Sequence, residues 1–440
     1  MTTERLIVLA RWPEAGRCKT RTIPALGPDG AATLQRIFTH RVLDQARRLA
    51  SRRPIGIEVR FTGGSTEAMR ALYGDDLSYR EQGTGDLGDR LIRASSEAFV
   101  EGASRVVMIG TDSPDVDERA LERAFARLEK GNAAAVVIGP AADGGYWLIG
   151  SNERCDTLFR EIRWSSSDVL RDTRRQAAIA SRRVTLLETL PDVDEPDDLL
   201  VCRRHGDAFA ELFGDESPDR LSIIVPTRNE EASIRGTVES LTADSRCEAI
   251  VVDGGSEDGT ARAARDAGAR VIEMAGPRSR RLNAGAAVAT GSTLLFLHAD
   301  CRLPDRFVDA IFRTLQSGAI GGAFRLEVDD PRPIYRRIER FTAWRCRWWG
   351  RPYGDQGLFV RADRFRELGG FRPWPLMEDY EFVGRMRRAG RVVLRDEGIV
   401  ASARRWQRLG PWRTTLTNQA IVAAYHLGVS PERLAAWYRR

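Results

Sequence analysis

Residues 221–231 read LSIIVPTRNEE and residues 249–260 read AIVVDGGSEDGT, and these two stretches decide the fold. Each is an unbroken apolar run that stops at a turn carrying carboxylates. A strand exposed on one face alternates apolar and polar residues, whereas an unbroken run belongs to a strand covered on both faces, the habit of parallel sheets. Between the two runs Ile234, Val238 and Leu241 recur at helical spacing, and residues 293–297 supply another apolar run that ends in His298-Ala299-Asp300-Cys301. Toward the amino terminus, residues 6–10, 106–110 and 134–139 read as further buried strands. Helices alternate with them: residues 29–50 carry Leu34, Ile37, Phe38, Val42 and Leu49 on one face, and residues 119–130 carry Leu121, Phe125 and Leu128 ahead of Gly131. This alternation predicts an α/β protein with mainly parallel sheets covered by helices on both sides.

The chain has 440 residues, 42% hydrophobic and 30% charged, enough for two cores rather than one. Residues 199–213 read as helix, and the polar, turn-rich stretch 214–220 reads as a linker, so the predicted domains are 1–213 and 221–440. The net charge is +6, and Lys19 and Lys130 are its only lysines. Arginine is spread along the chain without a basic run of the kind that tracks a phosphate backbone, which argues against a nucleic-acid partner and suits anionic small substrates. Six cysteines are widely spaced, with no C-x-x-C pair, and fit a reducing compartment. The opening residues 1–12 lack a signal-peptide pattern, and no stretch reaches the roughly 18 apolar residues of a membrane span. The expectation is a cytoplasmic protein.

An acid at the carboxyl end of a strand in an open α/β sheet stands where ligands gather. In the carboxyl-terminal half Glu230, Asp253 and Asp300 all do, followed by GDQG at 354–357 and MEDYEF at 377–382. Without those neighbours, Glu378-Asp379 after Pro375 would read as an ordinary acidic helix start. Taken together, residues 220–405 resemble the family 2 inverting glycosyltransferases of the GT-A fold, and within them the subgroup associated with radical-SAM partners and arsenosugar biosynthesis. The resemblance implies that Glu230, Asp253, Arg281 and Asn283 bind the nucleotide-sugar donor. It implies that Asp300 holds Mg2+ or Mn2+, although His298-Ala299-Asp300 has one acid where the family often has two. It also implies that Asp379 is the general base, with Glu378 the runner-up, and that Asp355, Gln356 and Trp349 meet the acceptor, a small sugar, an arsenical or a lipid phosphate. The string Ser402-Ala403-Arg404-Arg405-Trp406 lacks the glutamine of the processive enzymes' Gln-x-x-Arg-Trp, which implies a single transfer.

Residues 331–350, PRPIYRRIERFTAWRCRWWG, hold six arginines and one glutamate interleaved with aromatics. The preferred reading is a core or interface helix whose arginines snorkel outward. Peripheral contact with an anionic membrane is the alternative.

The amino-terminal half carries ARWPEAGRCKTR at 10–21, QGTGDLGDRL at 82–91, IGTDSPD at 109–115, GPAADGGYWLIG at 139–150 and LPDVDEPDDL at 190–199. A glycine turn followed by Lys19 and Arg21 offers close backbone approach and cationic donors to phosphate, without a Walker A pattern. These segments resemble a family of GT-A-like proteins related to small nucleotidyltransferases such as the molybdopterin and phospholactate guanylyltransferases. The resemblance implies that Asp112 and Asp194 share a divalent ion and that Asp86 and Asp143 contact nucleotide or substrate. Lys19 and Arg21 would hold the phosphates of an NTP, with Lys19 among the catalytic groups. The whole chain is then expected to be two tandem GT-A-like domains, a transferase that forms or uses an activated sugar in its first half and passes a sugar on in its second. The alternative is a non-catalytic first half and a second half that glycosylates a lipid phosphate at a membrane surface.

Overall fold

The computed structural model describes residues 4–131, 134–214 and 216–438, and within the last of these not the side chains of Arg405 and Leu409. The chain forms two compact units, Met1–Cys202 and Arg203–Arg440. The division therefore falls ahead of the expected linker at 214–220. Ser217 to Arg220 are the first residues of a strand, and Asp215 lies outside the described residues. The polar letters there misled because the segment is the exposed entry of a strand whose buried part starts at Leu221. The expected helix over 199–213 is broken into Leu199–Arg203, a 3-10 turn Gly206–Phe209 and a last turn Ala210–Phe213.

The first unit is built on strands β1 (Glu4–Arg11), β2 (Ile55–Thr62), β3 (Ser78–Glu81), β4 (Arg105–Ile109), β5 (Ala135–Pro140), β6 (Tyr146–Ser151) and β7 (Arg183–Leu186) in the order β3-β2-β1-β4-β6-β5-β7. All neighbouring pairs are parallel except those of β6, which runs antiparallel to β4 and β5. The sequence explains the two-sided cover. Leu6, Val8 and Ala10 pack into one cluster with Val42, Met69 and Leu121 from three helices, while Ile7 between them faces the other cluster with Leu91, Ala94 and Ala177. The helix Ile23–Ala50 starts earlier than its apolar face and is kinked at Gly27, whose φ of 72° precedes Pro28.

The second unit is built on β8 (Ser217–Thr227), β9 (Cys247–Asp253), β10 (Arg270–Glu273), β11 (Gly291–Phe296), β12 (Cys301–Arg302), β13 (Gly321–Val328), β14 (Leu358–Arg361) and β15 (Val392–Ala401) in the order β10-β9-β8-β11-β14-β13-β15-β12. β10, β9, β8 and β11 are mutually parallel, β14 is antiparallel to both its neighbours, and β12 is antiparallel to β15. Leu221, Ile223 and Val225 face the helix Glu231–Thr242, and Ile224 faces the helix Arg278–Val288 on the other side. An aromatic nest of Phe296, Phe365, Phe371 and Phe382, with ring centroids 4.8 to 5.3 Å apart, fills the same side of the sheet. Both sheets are mixed and mainly parallel, so each unit is an α/β domain.

Gly285 lets the helix Arg278–Val288 lie close to its sheet, since a Cβ there would stand 2.5 Å from Ile224 Cγ2 and 3.2 Å from Val252 Cγ2. Gly285→Ala gains up to about 1 kcal/mol of helix propensity but overpacks a closed core at a cost of about 1–3 kcal/mol. With the full propensity gain the net expectation is a loss of up to about 2 kcal/mol, seen as a lowered Tm in thermal unfolding.

Candidate functional site

In the second unit the helix Glu378–Ala389 and the helix Arg278–Val288 both begin at one cleft of about 410 Å3, whose walls include Asp300, Asp355, His298 and Tyr353. Met377 turns into the first of these helices with a left-handed φ of 71°, and Glu378 and Asp379 occupy its first turn, where the helix dipole favours acids. Arg278 organises the group. Its Nε donates to Glu378 Oε1 at 2.7 Å, its Nη2 to Asp379 Oδ2 at 3.3 Å, and its Nη1 meets His298 Nε2. Burial alone would lower the pKa of this guanidinium, but the charges of Glu378 and Asp379 outweigh it and raise the value.

Asp379 is positioned without being sealed. Gly354 N–H donates to Oδ2 at 2.6 Å and Tyr380 N–H to Oδ1 at 2.7 Å, while the side chain keeps 17% of its surface exposed on the cleft wall. Glu378 is only 4% exposed and accepts from Arg278 Nε at 2.7 Å. Asp355 stands nearby; burial raises its pKa and Asp379 adds to the effect, with Arg345 and Arg278 opposing. Asp300 follows β11 and faces the cleft, and Arg404 reaches both Asp300 Oδ2 at 3.5 Å and Glu230 Oε2 at 3.1 Å.

Several expected site residues are used otherwise. Asn283 is buried and spends both ends of its amide on the Phe371 backbone, donating to its carbonyl at 2.8 Å and accepting from its N–H at 2.9 Å. Gln356 is fully buried, donates to Phe324 O at 3.0 Å and accepts from Tyr353 N–H at 3.0 Å, so it holds the Gly354–Gln356 turn and does not face an acceptor. Asp253, 2% exposed, accepts from Gly255 N–H, Ser256 N–H and the Ser256 hydroxyl, which shape the turn after β9. Arg281 donates to Thr227 O at 2.7 Å from the helix beside that turn. Trp349 is 56% exposed and absent from the cleft wall. Arg278, His298 and Arg404 were not singled out from the letters. The available signal was the Arg278-Ser279-Arg280-Arg281 run just behind Pro277, a helix start loaded with cations.

In the first unit Lys19, Arg21, Asp112 and Asp194 line a second cleft of about 550 Å3. Lys19 is 5% exposed, and its Nζ lies 2.8 Å from Asp112 Oδ1, 3.0 Å from Asp194 Oδ1 and 2.7 Å from Val193 O. Burial would lower the pKa of Lys19, but the two carboxylates outweigh it and raise the value. The expected divalent ion between Asp112 and Asp194 does not fit this arrangement, because the ammonium already stands between them. Among the described residues no group of three or more His, Cys, Asp or Glu could hold a metal ion. Asp86 caps the helix Leu87–Val100 by accepting from Asp89 N–H at 2.9 Å, and Asp143 accepts from Gly145 N–H at 2.8 Å in an exposed turn. Neither is among the residues that line the cleft, although Leu87, next to Asp86, is. Arg11, Arg90 and Gln82 do line it.

Comparison with known proteins places families on both units. Residues 45–166 match the family described as uncharacterized protein conserved in bacteria (DUF2064), and residues 222–371 match glycosyl transferase family 2. Each unit thus carries a match to a different family, DUF2064 in the first and glycosyl transferase family 2 in the second. A 4,4'-diaponeurosporenoate glycosyltransferase of Staphylococcus haemolyticus is 32% identical over 155 residues, 33% of this chain and 41% of that protein. This chain therefore spans less than half of that relative. A crystal structure from Desulfovibrio desulfuricans G20, provisionally assigned as a nucleotide-diphospho-sugar transferase, is 31% identical, covers 48% of this chain and 92% of its own, and superposes with a TM-score of 0.44. Glucosyl-3-phosphoglycerate synthase from Mycobacterium tuberculosis, solved with Mg2+ and uridine diphosphate, is 21% identical over 41% of this chain and 69% of its own, with a TM-score of 0.32.

Asp192 offers a test of the acidic edge in the first unit. Burial, then the charges of Asp143 and Asp194, push its pKa up to about 6. A carboxyl raised above its unfolded value stabilises the fold while protonated and loses that contribution as pH rises to about 6. Asp192→Asn should thus leave Tm almost unchanged at pH 4 and raise it at pH 8, with a gain of at most about 3 kcal/mol. Thermal melts across that range read the difference.

Proposed function

We propose that the second unit transfers a glycosyl group from a nucleoside diphosphate sugar to an oxygen nucleophile by one inverting displacement, with Asp379 as general base. What supports this reading is the convergence of Asp379 and Asp300 on one cleft, with Asp300 inside the region 222–371 that matches glycosyl transferase family 2 and Asp379 just beyond its end. A hydroxyl is a weak nucleophile, and a carboxylate within hydrogen-bond reach takes its proton as the bond to the anomeric carbon forms. The Gly354 N–H and Arg278 fix one oxygen of Asp379, which orients the carboxylate toward the cleft before the acceptor arrives. Glu378 and His298 hold Arg278 in place, so the base is oriented through a guanidinium rather than by a flexible loop.

Asp300 fits a role as the protein ligand of Mg2+ or Mn2+, since such ions take one or two carboxylates and complete their shell with water and substrate phosphates. When bound, the ion would neutralise charge on the departing diphosphate. Arg404 now neutralises Asp300 and Glu230, and donor entry requires it to yield or share those partners. Glu230, half-buried at the start of its helix, is the better nucleoside contact of the two expected carboxylates, because the acceptor sites of Asp253 are filled by its own turn.

For the first unit we propose binding of a phosphate-bearing small molecule, such as an NTP or a sugar phosphate, in the cleft of Lys19 and Arg21. Arg21, 64% exposed and 3.6 Å from Glu195, is available to a phosphate, whereas Lys19 is engaged by Asp112 and Asp194 and acts by holding them in place.

In the full-length protein supplied with Mg2+ and a panel of nucleotide sugars, Asp379→Asn should lower kcat by about 10^2- to 10^4-fold while leaving donor affinity within about twofold. Retention of transfer by this variant would show that another group takes the proton.

A further inference from the structure

The helix Pro333–Trp349 turns an unexpected face outward. Its buried side is Tyr335, Ile338, Glu339, Thr342, Arg345 and Cys346, while Phe341, Trp344, Trp348 and Trp349 are 41%, 49%, 73% and 56% exposed. The four rings are contiguous, with Trp344 5.9 to 6.4 Å from each of the others. The segment is expected as a core or interface helix with its arginines outward; Tyr335 is buried as a core residue is, while Phe341, Trp344, Trp348 and Trp349 lie outside with the arginines. At 100° per residue, Arg337, Phe341, Trp344 and Trp348 fall on one stripe, and Arg340 and Arg347 on the stripe beside it. All three of these arginines are exposed.

A contiguous group of exposed indoles needs an explanation, because isolated soluble surfaces seldom present one. Indole and phenyl rings flanked by guanidinium groups suit the boundary between lipid headgroups and acyl chains, where rings enter the apolar layer and cations meet phosphate. Charge decides among occupants. A second copy of this chain would set the same arginines against one another. Arg347 is paired with Asp396 at 2.7 Å, but a neutral partner would supply no counter-charge to Arg337 and Arg340, whereas an anionic lipid surface supplies both apolar depth and negative charge. No helix among the described residues is long and apolar enough to cross a membrane, so the contact is one of lying on the surface.

We propose that Phe341, Trp344, Trp348 and Trp349, with Arg337, Arg340 and Arg347, form a docking face for an anionic phospholipid bilayer. The inference stands apart from the glycosyl-transfer reading, because it concerns binding and no residue of the face lines the cleft of Asp379. The adjoining helix Pro411–His426 carries Trp412 and Leu416, 61% and 65% exposed, and shares a narrow cavity with the aromatic helix through Thr415, Asn418 and Gln419. Asn418 and Ile421 of that helix in turn line the cleft, so the docking helix reaches the cleft through one intervening helix.

The test is co-sedimentation of the full-length protein with vesicles of phosphatidylcholine alone and of phosphatidylcholine mixed with phosphatidylglycerol. Binding to the mixed vesicles, weakened by salt, is expected. Trp344→Ala/Trp348→Ala should weaken it by more than about tenfold, and Arg337→Glu/Arg340→Glu should remove the preference for the anionic lipid. These side chains are exposed, so Tm and far-UV circular dichroism of both variants should match the parent protein. Three results would each overturn the proposal: no sedimentation with mixed vesicles, binding indifferent to both variants, or a concentration-dependent dimer without lipid that the tryptophan variant abolishes.

Discussion

One guanidinium holds the carboxyl-terminal site together. Arg278 joins the start of its own helix to Glu378 and Asp379 at the start of another and to His298 beyond the end of β11. Three elements distant in sequence meet at a charge that is largely withdrawn from water. Such a pair is expensive to break, because removing the cation leaves two clustered carboxylates with no counter-charge. The placement of Asp379 is thus a consequence of ion pairing as much as of backbone geometry.

The two units solve a related problem with different cations. Each brings acids to the carboxyl ends of parallel strands, where helix starts and turns converge. In the first unit Lys19 sits between Asp112 and Asp194, and in the second Arg404 sits between Glu230 and Asp300. The settings differ in exposure: Lys19 is 5% exposed and Arg404 is 60% exposed. A buried ammonium flanked by two carboxylates is a fixed part of its site, whereas an exposed arginine on a long side chain can move aside for a ligand. The ammonium of Lys19 fills the space between Asp112 and Asp194, whereas the arginine beside Asp300 lies at the surface.

Much of the architecture was legible in the letters. Unbroken apolar runs marked β1, β4, β5, β8, β9 and β11, since a strand covered on both faces has no polar residues to interrupt it. The antiparallel β14 and the long β13 and β15 were not marked. Gly321 and Gly322 leave no apolar signature at the start of β13, and β15 mixes charged with apolar residues because much of it is only partly buried. Asp379, Asp300 and Glu230 were legible as acids at turns and helix starts. Asn283 and Gln356 had the right letters in the right segments, but their amides close backbone gaps in the interior.

The sequence by itself determined two α/β units, the strands that open them and the acids at their strand ends, because those features depend on local apolar pattern and turn chemistry. Tertiary structure alone decided which acids share a cleft, which are spent on turns and caps, and which cation neutralises which pair. It also decided that the tryptophans of residues 344–349 face outward while Arg345 is buried, an assignment that residue type would have reversed. The physical reason is that burial and charge pairing are set by what packs against a residue from distant parts of the chain. No window of sequence contains that neighbour.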